Sequence, residues 1–342
     1  MKKIRLGLIG CGRISKNHFE AVAQIPEASF VACADIDEDK AKQASELYGV
    51  PTYYTDYHEM LEKEKLDAVT ICTPSGMHPQ NGIDVANHKI HVITEKPMSI
   101  NIETADKLIN ACDKNGVHLF VVKQNRLNST MQLLKRAVDQ NRFGRIYLAQ
   151  ANVFWQRPQA YYDAAKWRGT WEFDGGAFMN QASHYIDAIY WLLGNVDSVV
   201  ATTATMARRI EAEDTGCAIL QFRSGIIATL NVTMLTYPKN FEGSITIIGE
   251  KGTVKIGGVA VNKIEKWEFE DYNDDDRIAL DANYQPPNVY GFGHSPYYRN
   301  VTDVLLGTAI PSTDGRDGRK SVEIIQAVYQ SAKLGKRISL PL

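Results

Sequence analysis

The chain has 342 residues, which suits two hydrophobic cores better than one. Its 23% charged and 44% hydrophobic residues are those of an ordinary globular protein, and a net charge of -2 excludes a basic field for nucleic acid or for an anionic membrane surface. No apolar run approaches the roughly 18 residues of a spanning helix. The apolar start after Lys3 is broken by Gly7, Gly10 and Gly12 and followed by Arg13 and Lys16, unlike a signal peptide, so the expected location is the cytoplasm. The five cysteines are odd in number and include no C-x-x-C pair. They are expected to be small buried hydrophobes, with neither disulfides nor a metal site.

The first third alternates β-branched runs with helical patterns. Strands are predicted at 4–10, 30–36, 68–72, 91–94 and 118–122, with helices near 14–24, 40–48, 82–87 and 105–112. Such alternation implies a parallel sheet with right-handed crossovers. The pattern changes after Asn125. A helix at 130–139 leads to a long strand at 146–154, a polar and aromatic loop to about 174, and a helix from Gly175-Gly176 to Leu193. Strand-like runs at 198–205, 217–222, 226–233, 244–249 and 253–256 follow, spaced by turn signals, and read as a mainly antiparallel sheet. The acidic stretch 271–276 reads as irregular, and helices near 296–306 and 318–334 close the chain. The expected fold is therefore α/β: an N-terminal Rossmann domain over 1–125, then an α+β domain over 126–342 with a large open sheet.

Between the first strand and first helix lies Gly10-Cys11-Gly12-Arg13-Ile14-Ser15, a G-x-G-x-x-G pattern with Ser15 in third place. Gly10 permits the tight turn, Gly12 admits a pyrophosphate, and the third position must be small for strand–helix packing. Free N–H groups at the helix start hold phosphate oxygens. Asp35 follows 20 residues after Ser15, where a carboxylate accepts from ribose hydroxyls and repels the 2′-phosphate of NADP. No Arg or Lys follows at once, so NAD is the expected cofactor. The competing reading makes Asp35 the cap of the next helix.

Further motifs lie beyond the strand ends: Cys72-Thr73-Pro74-Ser75 with His78, Glu95-Lys96-Pro97, Gln124-Asn125-Arg126, and Gly175-Gly176 ahead of His184. Together they resemble the Gfo/Idh/MocA oxidoreductases along nearly the whole chain. The resemblance implies that Lys96 and His184 flank the nicotinamide as catalytic residues. It also implies that Gly10, Gly12, Arg13, Ile14, Asp35, Thr73, Pro74, His78, Glu95, Lys96, Gln124, Trp167 and Arg168 contact the cofactor, and that the bond before Pro97 is cis. A narrower block, Phe154-Trp155-Gln156-Arg157-Pro158 through Tyr161-Tyr162 and Trp167-Arg168 to Asn180 and His184, is similar to UDP-N-acetylglucosaminuronate 3-dehydrogenases. Those enzymes oxidise the sugar C3 hydroxyl for surface-polysaccharide (lipopolysaccharide) synthesis, and a PLP aminotransferase consumes the ketone. This implies a substrate site of Lys96, Arg157, Tyr162, Asn180 and His184.

The residue chemistry agrees with these roles. A partly desolvated lysine orients a hydroxyl or relays its proton, although its plain alternative is a surface lysine with a packed stem. A histidine titrates in the right range to take an alcohol proton as hydride leaves. Against this, Asn180, His184 and Asp187 fall on the polar side of an apolar-striped helix, the pattern of a solvated face. Many family members carry aspartate where this chain has Asn180, so Lys96 and His184 must act without it. Arginine forks suit pyrophosphate and carboxylate, which points to Arg157 and Arg168. Tyr161, Tyr297, Tyr298, His294, Ser295 and Arg299 are further candidates. The alternatives are another sugar or cyclitol dehydrogenase, an NAD-sensing regulator and an NAD-dependent glycosidase. An open sheet face implies a homotetramer, with a dimer second.

Overall fold

The structure is a computed structural model and describes residues 3–285 and 291–342. In chain order its elements are β1 (Ile4–Ile9), α1 (Ser15–Val22), β2 (Ala28–Ala34), α2 (Glu38–Tyr48), β3 (Thr52–Tyr54), α3 (Tyr57–Lys63), β4 (Ala68–Ile71), α4 (His78–Asn87), β5 (His91–Thr94), α5 (Ile102–Asn115) and β6 (Leu119–Val121). Then come α6 (Ser129–Asp139), β7 (Ile146–Phe154), α7 (Gln159–Asp163), α8 (Ser183–Leu193), β8 (Val196–Ala204), β9 (Thr215–Phe222), β10 (Ile227–Thr233) and β11 (Glu242–Gly249). The last are β12 (Gly252–Gly257), β13 (Lys263–Phe269), α9 (Asp274–Asp281), α10 (His294–Leu305), α11 (Gly315–Leu334) and β14 (Ile338–Ser339). Residues 1–122 with 294–319 form one compact unit, and 123–293 with 320–342 the other. A single division at 125/126 thus misses the late segment that returns to the first unit. Sequence patterning shows that segment as helical but carries no sign of which core it joins.

The first unit is a six-stranded parallel sheet in the order β3-β2-β1-β4-β5-β6. Its strands are apolar and buried, as parallel strands covered on both faces must be. The order reverses between β1 and β4, so the ends of those strands form the switch point where α/β sheets bind ligands. The short β3 and the helix α3 escape hydrophobic-run reading because only one of β3's three residues is buried.

The second unit holds an eight-stranded sheet in the order β13-β12-β11-β7-β10-β9-β8-β14. Its neighbours are antiparallel except β7 and β10, which run parallel. Alternation divides the faces: Ala218, Leu220, Ala228 and Leu230 are buried, while Ile219 and Ile227 are 52% and 47% exposed. On the buried side Ser331 of α11 accepts from Ala201 N at 3.0 Å. Tyr185 of α8 packs so close to Gly243 of β11 that a Cβ there would meet its Oη at 2.1 Å.

Two expectations need correction. The helix carrying His184 begins at Ser183, not at Gly175. Gly175 takes a φ of 69°, which breaks helical geometry, and turns fill the stretch to Ala182. The acidic stretch is not irregular throughout, because α9 starts within it. Asn273 accepts from Asp275 N at 2.9 Å, Asp276 accepts from Asn273 N at 2.6 Å, and acids in the first turn suit the helix dipole. Among the described residues no helix is long and apolar enough to cross a membrane.

Candidate active site

The first unit offers a dinucleotide cradle at its switch point. Gly10 has a φ of 94°, and a Cβ there would lie 2.8 Å from the Cys72 carbonyl. Only glycine fits. A Cβ on Gly12 would meet nothing within 4 Å, so its backbone is open to close approach. Ser15 is buried, and its hydroxyl donates to Gly12 O at 2.7 Å, which uses the third small position to brace the turn. Arg13 and Ile14 complete the loop into α1.

Asp35 grips this loop directly. Its Oδ2 accepts from Cys11 N at 2.8 Å and its Oδ1 from Asp37 N at 3.0 Å. The cap of α2 is Asp37 rather than Asp35. Each carboxylate oxygen has a second lone pair for a ribose hydroxyl. Beside it Ile36 is 92% exposed, an apolar residue next to the acid that sequence reading passed over.

Beyond β4 and β5 two buried histidines brace the turn that carries Lys96. His78 places Nε2 2.8 Å from Thr73 O and Nδ1 2.8 Å from Pro97 O. A neutral imidazole has one N–H and donates to one of these carbonyls; the second bond needs the imidazolium. Burial pushes its pKa down. Its ring is therefore spent on the protein's own backbone, not on the cofactor contact expected of it. The peptide bond between Lys96 and Pro97 is cis.

Glu95 is buried as well. Its Oε1 lies 3.0 Å from His18 Nε2 and 3.9 Å from His294 Nε2, and its Oε2 accepts from Lys96 N at 3.0 Å. Burial alone raises a carboxyl's pKa, but the two imidazoles outweigh it and hold Glu95 well below the usual range. His18 Nδ1 meets Tyr298 Oη at 2.8 Å, and Tyr298 meets Thr70 Oγ1 at 2.8 Å. His18, Glu95 and His294 bring three ligand-type atoms within 4.8 Å of one another. Glu95, His18, Tyr298 and Thr70 form one hydrogen-bonded chain, which accounts for the buried Tyr298 hydroxyl. Tyr297 and Tyr298 are 1% and 0% exposed and do not offer their rings to a substrate. Ser295 and Arg299 pair with Gln24 and Glu27. None of these late-segment candidates takes its expected part.

The second unit holds the remaining candidates. Arg157 Nη1 donates to Gln156 O at 2.6 Å and to Asn240 Oδ1 at 3.2 Å. Arg168 Nη1 donates to Tyr161 O at 2.7 Å. Both guanidiniums lie over the Tyr161 ring, at 5.4 and 4.4 Å from its centroid, and Arg168 also lies 5.6 Å from that of Trp167. Neither arginine has an acidic partner among the described residues, and Arg168 Nε is buried without a hydrogen bond. Tyr162, by contrast, is buried at 6% exposure and edge-on to Tyr161, so it packs rather than presents its ring.

His184 lies at the start of α8 and is 8% exposed; Asp187 is 2% exposed. The face that periodicity reads as solvated is interior. Gln124 Nε2 donates to His184 Nε2 at 3.2 Å. Asp187 accepts a two-pronged Arg126 fork, 2.8 Å on each oxygen, and lies 3.2 Å from Lys123 Nζ. Against the upward push of burial, these cations hold Asp187 well below the carboxylate range. Before the helix, Asn180 donates to Asp174, and Glu213 accepts from Phe178 N at 2.9 Å and Tyr329 Oη at 3.0 Å. A Cβ on Gly176 would sit 1.5 Å from Glu213 Oε2, so this glycine allows the close approach. Burial pushes the Glu213 carboxyl up to about 7. Neither Glu213 nor Asp187 carries a local signal, because each gains its partners from distant chain.

The cradle with an acid at its edge, and a second unit built on an open sheet, define a dinucleotide-dependent oxidoreductase. Residues 4–123 match the oxidoreductase family's NAD-binding Rossmann fold and residues 135–340 its C-terminal α/β domain. The chain belongs to the Gfo/Idh/MocA family of oxidoreductases, and its cofactor is NAD. It is 54% identical to the WlbA dehydrogenase of Bordetella pertussis, solved with NADH and UDP-GlcNAcA, with a TM-score of 0.97 over 100% of this chain and 99% of that one. The WlbA dehydrogenase of Chromobacterium violaceum, solved with the same two ligands, is 53% identical, with a TM-score of 0.95 over 100% and 97%. A myo-inositol 2-dehydrogenase of Thermotoga maritima is 28% identical over 73% of this chain and 74% of its own.

Proposed function

We propose that this protein oxidises the C3 hydroxyl of UDP-N-acetylglucosaminuronate to the 3-keto sugar nucleotide. The observation that carries this reading is the pair Arg157 and Arg168, two cations stacked on Tyr161 with no acidic partner among the described residues. Such cations suit a ligand bearing a pyrophosphate and a carboxylate, whereas a neutral cyclitol needs neither. The two relatives solved with UDP-GlcNAcA support the same substrate.

In this reading NAD supplies the hydride acceptor when bound. The Gly10–Ile14 loop would hold its pyrophosphate, Asp35 its adenosine ribose, and exposed Ile36 would offer an apolar surface to its base. Thr73, Pro74 and Trp167 line it further. Lys96 orients the sugar hydroxyl, His184 takes its proton, and Asn180 bonds the sugar. The protein works in the cytoplasm as a homotetramer formed through its open sheet face. The ketone passes to a PLP-dependent aminotransferase in surface-polysaccharide synthesis.

The test incubates purified protein with UDP-N-acetylglucosaminuronate, NAD, 2-oxoglutarate as electron acceptor and such an aminotransferase. Mass spectrometry then looks for the 3-amino sugar nucleotide. Its appearance only with active protein is the expected outcome. Its absence from a preparation that binds NAD returns the substrate to free sugars and cyclitols.

A further inference from the structure

The loop 205–214 joins β8 to β9 and carries Arg208, 51 positions beyond Arg157. Asp214 sets its course: Oδ1 accepts from Met206 N, and Oδ2 from Ala207 N and Arg208 N, each at 2.9 Å. The loop is also fastened to the segment that carries Arg157 and Arg168. Gly169 O accepts from Glu211 N at 3.1 Å and from Ala212 N at 3.0 Å, and Gln159 Oε1 accepts from Arg209 N at 2.8 Å. Gly169 has a φ of 72°, and a Cβ there would meet Ile210 Cγ2 at 2.6 Å, so glycine at this position admits the loop. Arg208 Nε donates to Arg157 O at 2.6 Å, which seats a third guanidinium against the Arg157 backbone. The Arg157 and Arg168 guanidiniums already share the Tyr161 ring.

Three half-buried cations in one region repel one another, and the repulsion grows as water is excluded. None of the three has an acidic partner among the described residues. Asp214, the buried carboxylate of the loop, is occupied by three backbone N–H groups and leaves the guanidiniums to other ligands. Among the described residues Arg208 spends only its Nε, so both Nη groups are left to act as a fork. Arg168 Nε is buried without a hydrogen bond. Unspent guanidinium donors of this kind suit oxyanions.

We infer that Arg208 completes, with Arg157 and Arg168, a three-arginine site for the oxyanions of a nucleoside-diphosphate sugar acid. The inference rests on the proposed nucleotide-sugar substrate and matches it charge for charge, one cation for each phosphate and one for the carboxylate. A neutral cyclitol would leave all three unpaired. Free UDP carries the phosphates alone, so it binds the same site and competes with the substrate.

Calorimetry of the NAD-bound protein with UDP is the first test. Binding that weakens as salt is raised is expected; no binding at millimolar UDP overturns the inference. Arg208→Gln should weaken UDP-N-acetylglucosaminuronate about 10-fold or more, with KM for NAD unchanged. A loss shared by UDP assigns Arg208 to the pyrophosphate, and a loss confined to the uronate assigns it to the carboxylate; wild-type affinity for both overturns the inference. Arg208→Lys keeps the charge without the fork and should recover part of the loss. An equal loss in both variants means that Arg208 only straps its loop to Arg157, which also overturns the inference. The wild-type titration and Arg208→Lys decide the matter even where Arg208→Gln is unstable. If UDP binds through Arg208 while the uronate yields no ketone, the substrate assignment falls and the anion site stands. If the ketone forms with a wild-type KM in Arg208→Gln, the anion site falls and the substrate stands.

Discussion

In the first unit, the chain on either side of Lys96 is gripped by its backbone: Glu95 takes the Lys96 N–H and His78 lies against the Pro97 carbonyl. In the second unit, His184 is gripped by its ring, through Gln124, and by its helix, through Asp187. The difference follows from the side chains. A lysine has a long flexible stem and needs only a fixed root. An imidazole has two unlike nitrogens, so its orientation and tautomer must both be set. Both regions use buried charge, but Asp187 faces two cations, whereas Glu95 faces imidazoles.

That contrast can be broken from the strong end first. Asp187→Ala removes the carboxylate that faces the buried Lys123 and Arg126, an effect of about 3–5 kcal/mol on stability. Chemical denaturation should show the loss, and a variant as stable as the wild type means that the cluster is hydrated. Next is Glu213, which braces the turns before α8. Its folded pKa of about 7 stands above the unfolded value of 4.5, so its contribution is complete below 4.5 and fades as pH rises through 7. Between those limits the wild type should lose about 3 kcal/mol relative to Glu213→Gln, which lacks the titration. Parallel pH profiles of melting temperature for the two proteins would remove Glu213 from the account.

The two side chains proposed as catalytic come third. Lys96→Met and His184→Ala should each lose about 100-fold in turnover while NAD still binds, as nucleotide fluorescence would report. Wild-type rates in either would end its assignment. The smallest effect is expected at Asp35. Asp35→Ala removes one grip on the dinucleotide loop, at Cys11 N, and one on Asp37 N, and should weaken NAD about 10-fold, with less discrimination against NADP. An unchanged preference in paired titrations would mean that another residue reads the ribose.

The cofactor loop was legible because its logic is local. Gly10, Gly12, Ser15 and Asp35 work within one strand–turn–helix–strand unit, and the structure gives Gly10 a reason of both space and φ. Lys96 and His184 are proposed from the family motifs around them, and what supports them in the fold was not legible. His18 reads as one polar residue on a helix, yet it bonds a glutamate 77 positions later and a tyrosine 280 later. Tyr298 stood among the further substrate candidates because periodicity does not say which core a late helix joins. Asp187 read as solvated because its partners, Lys123, Arg126 and Ser321, come from two distant parts of the chain.

The sequence by itself determined the two kinds of sheet, the dinucleotide loop, the preference for NAD and the identity of the two candidate catalytic residues. The sheets, the loop and the cofactor preference rest on periodicity, glycine geometry and short spacing, which act between near neighbours, whereas Lys96 and His184 rest on the resemblance to the family. Only the tertiary structure decided that segment 294–319 joins the first unit, that α8 starts at Ser183, and that Gln124 meets His184. The physical reason is burial. A polar side chain chooses its partner only when folding removes water and leaves one neighbour within reach, and that neighbour is set by packing rather than by position in the chain.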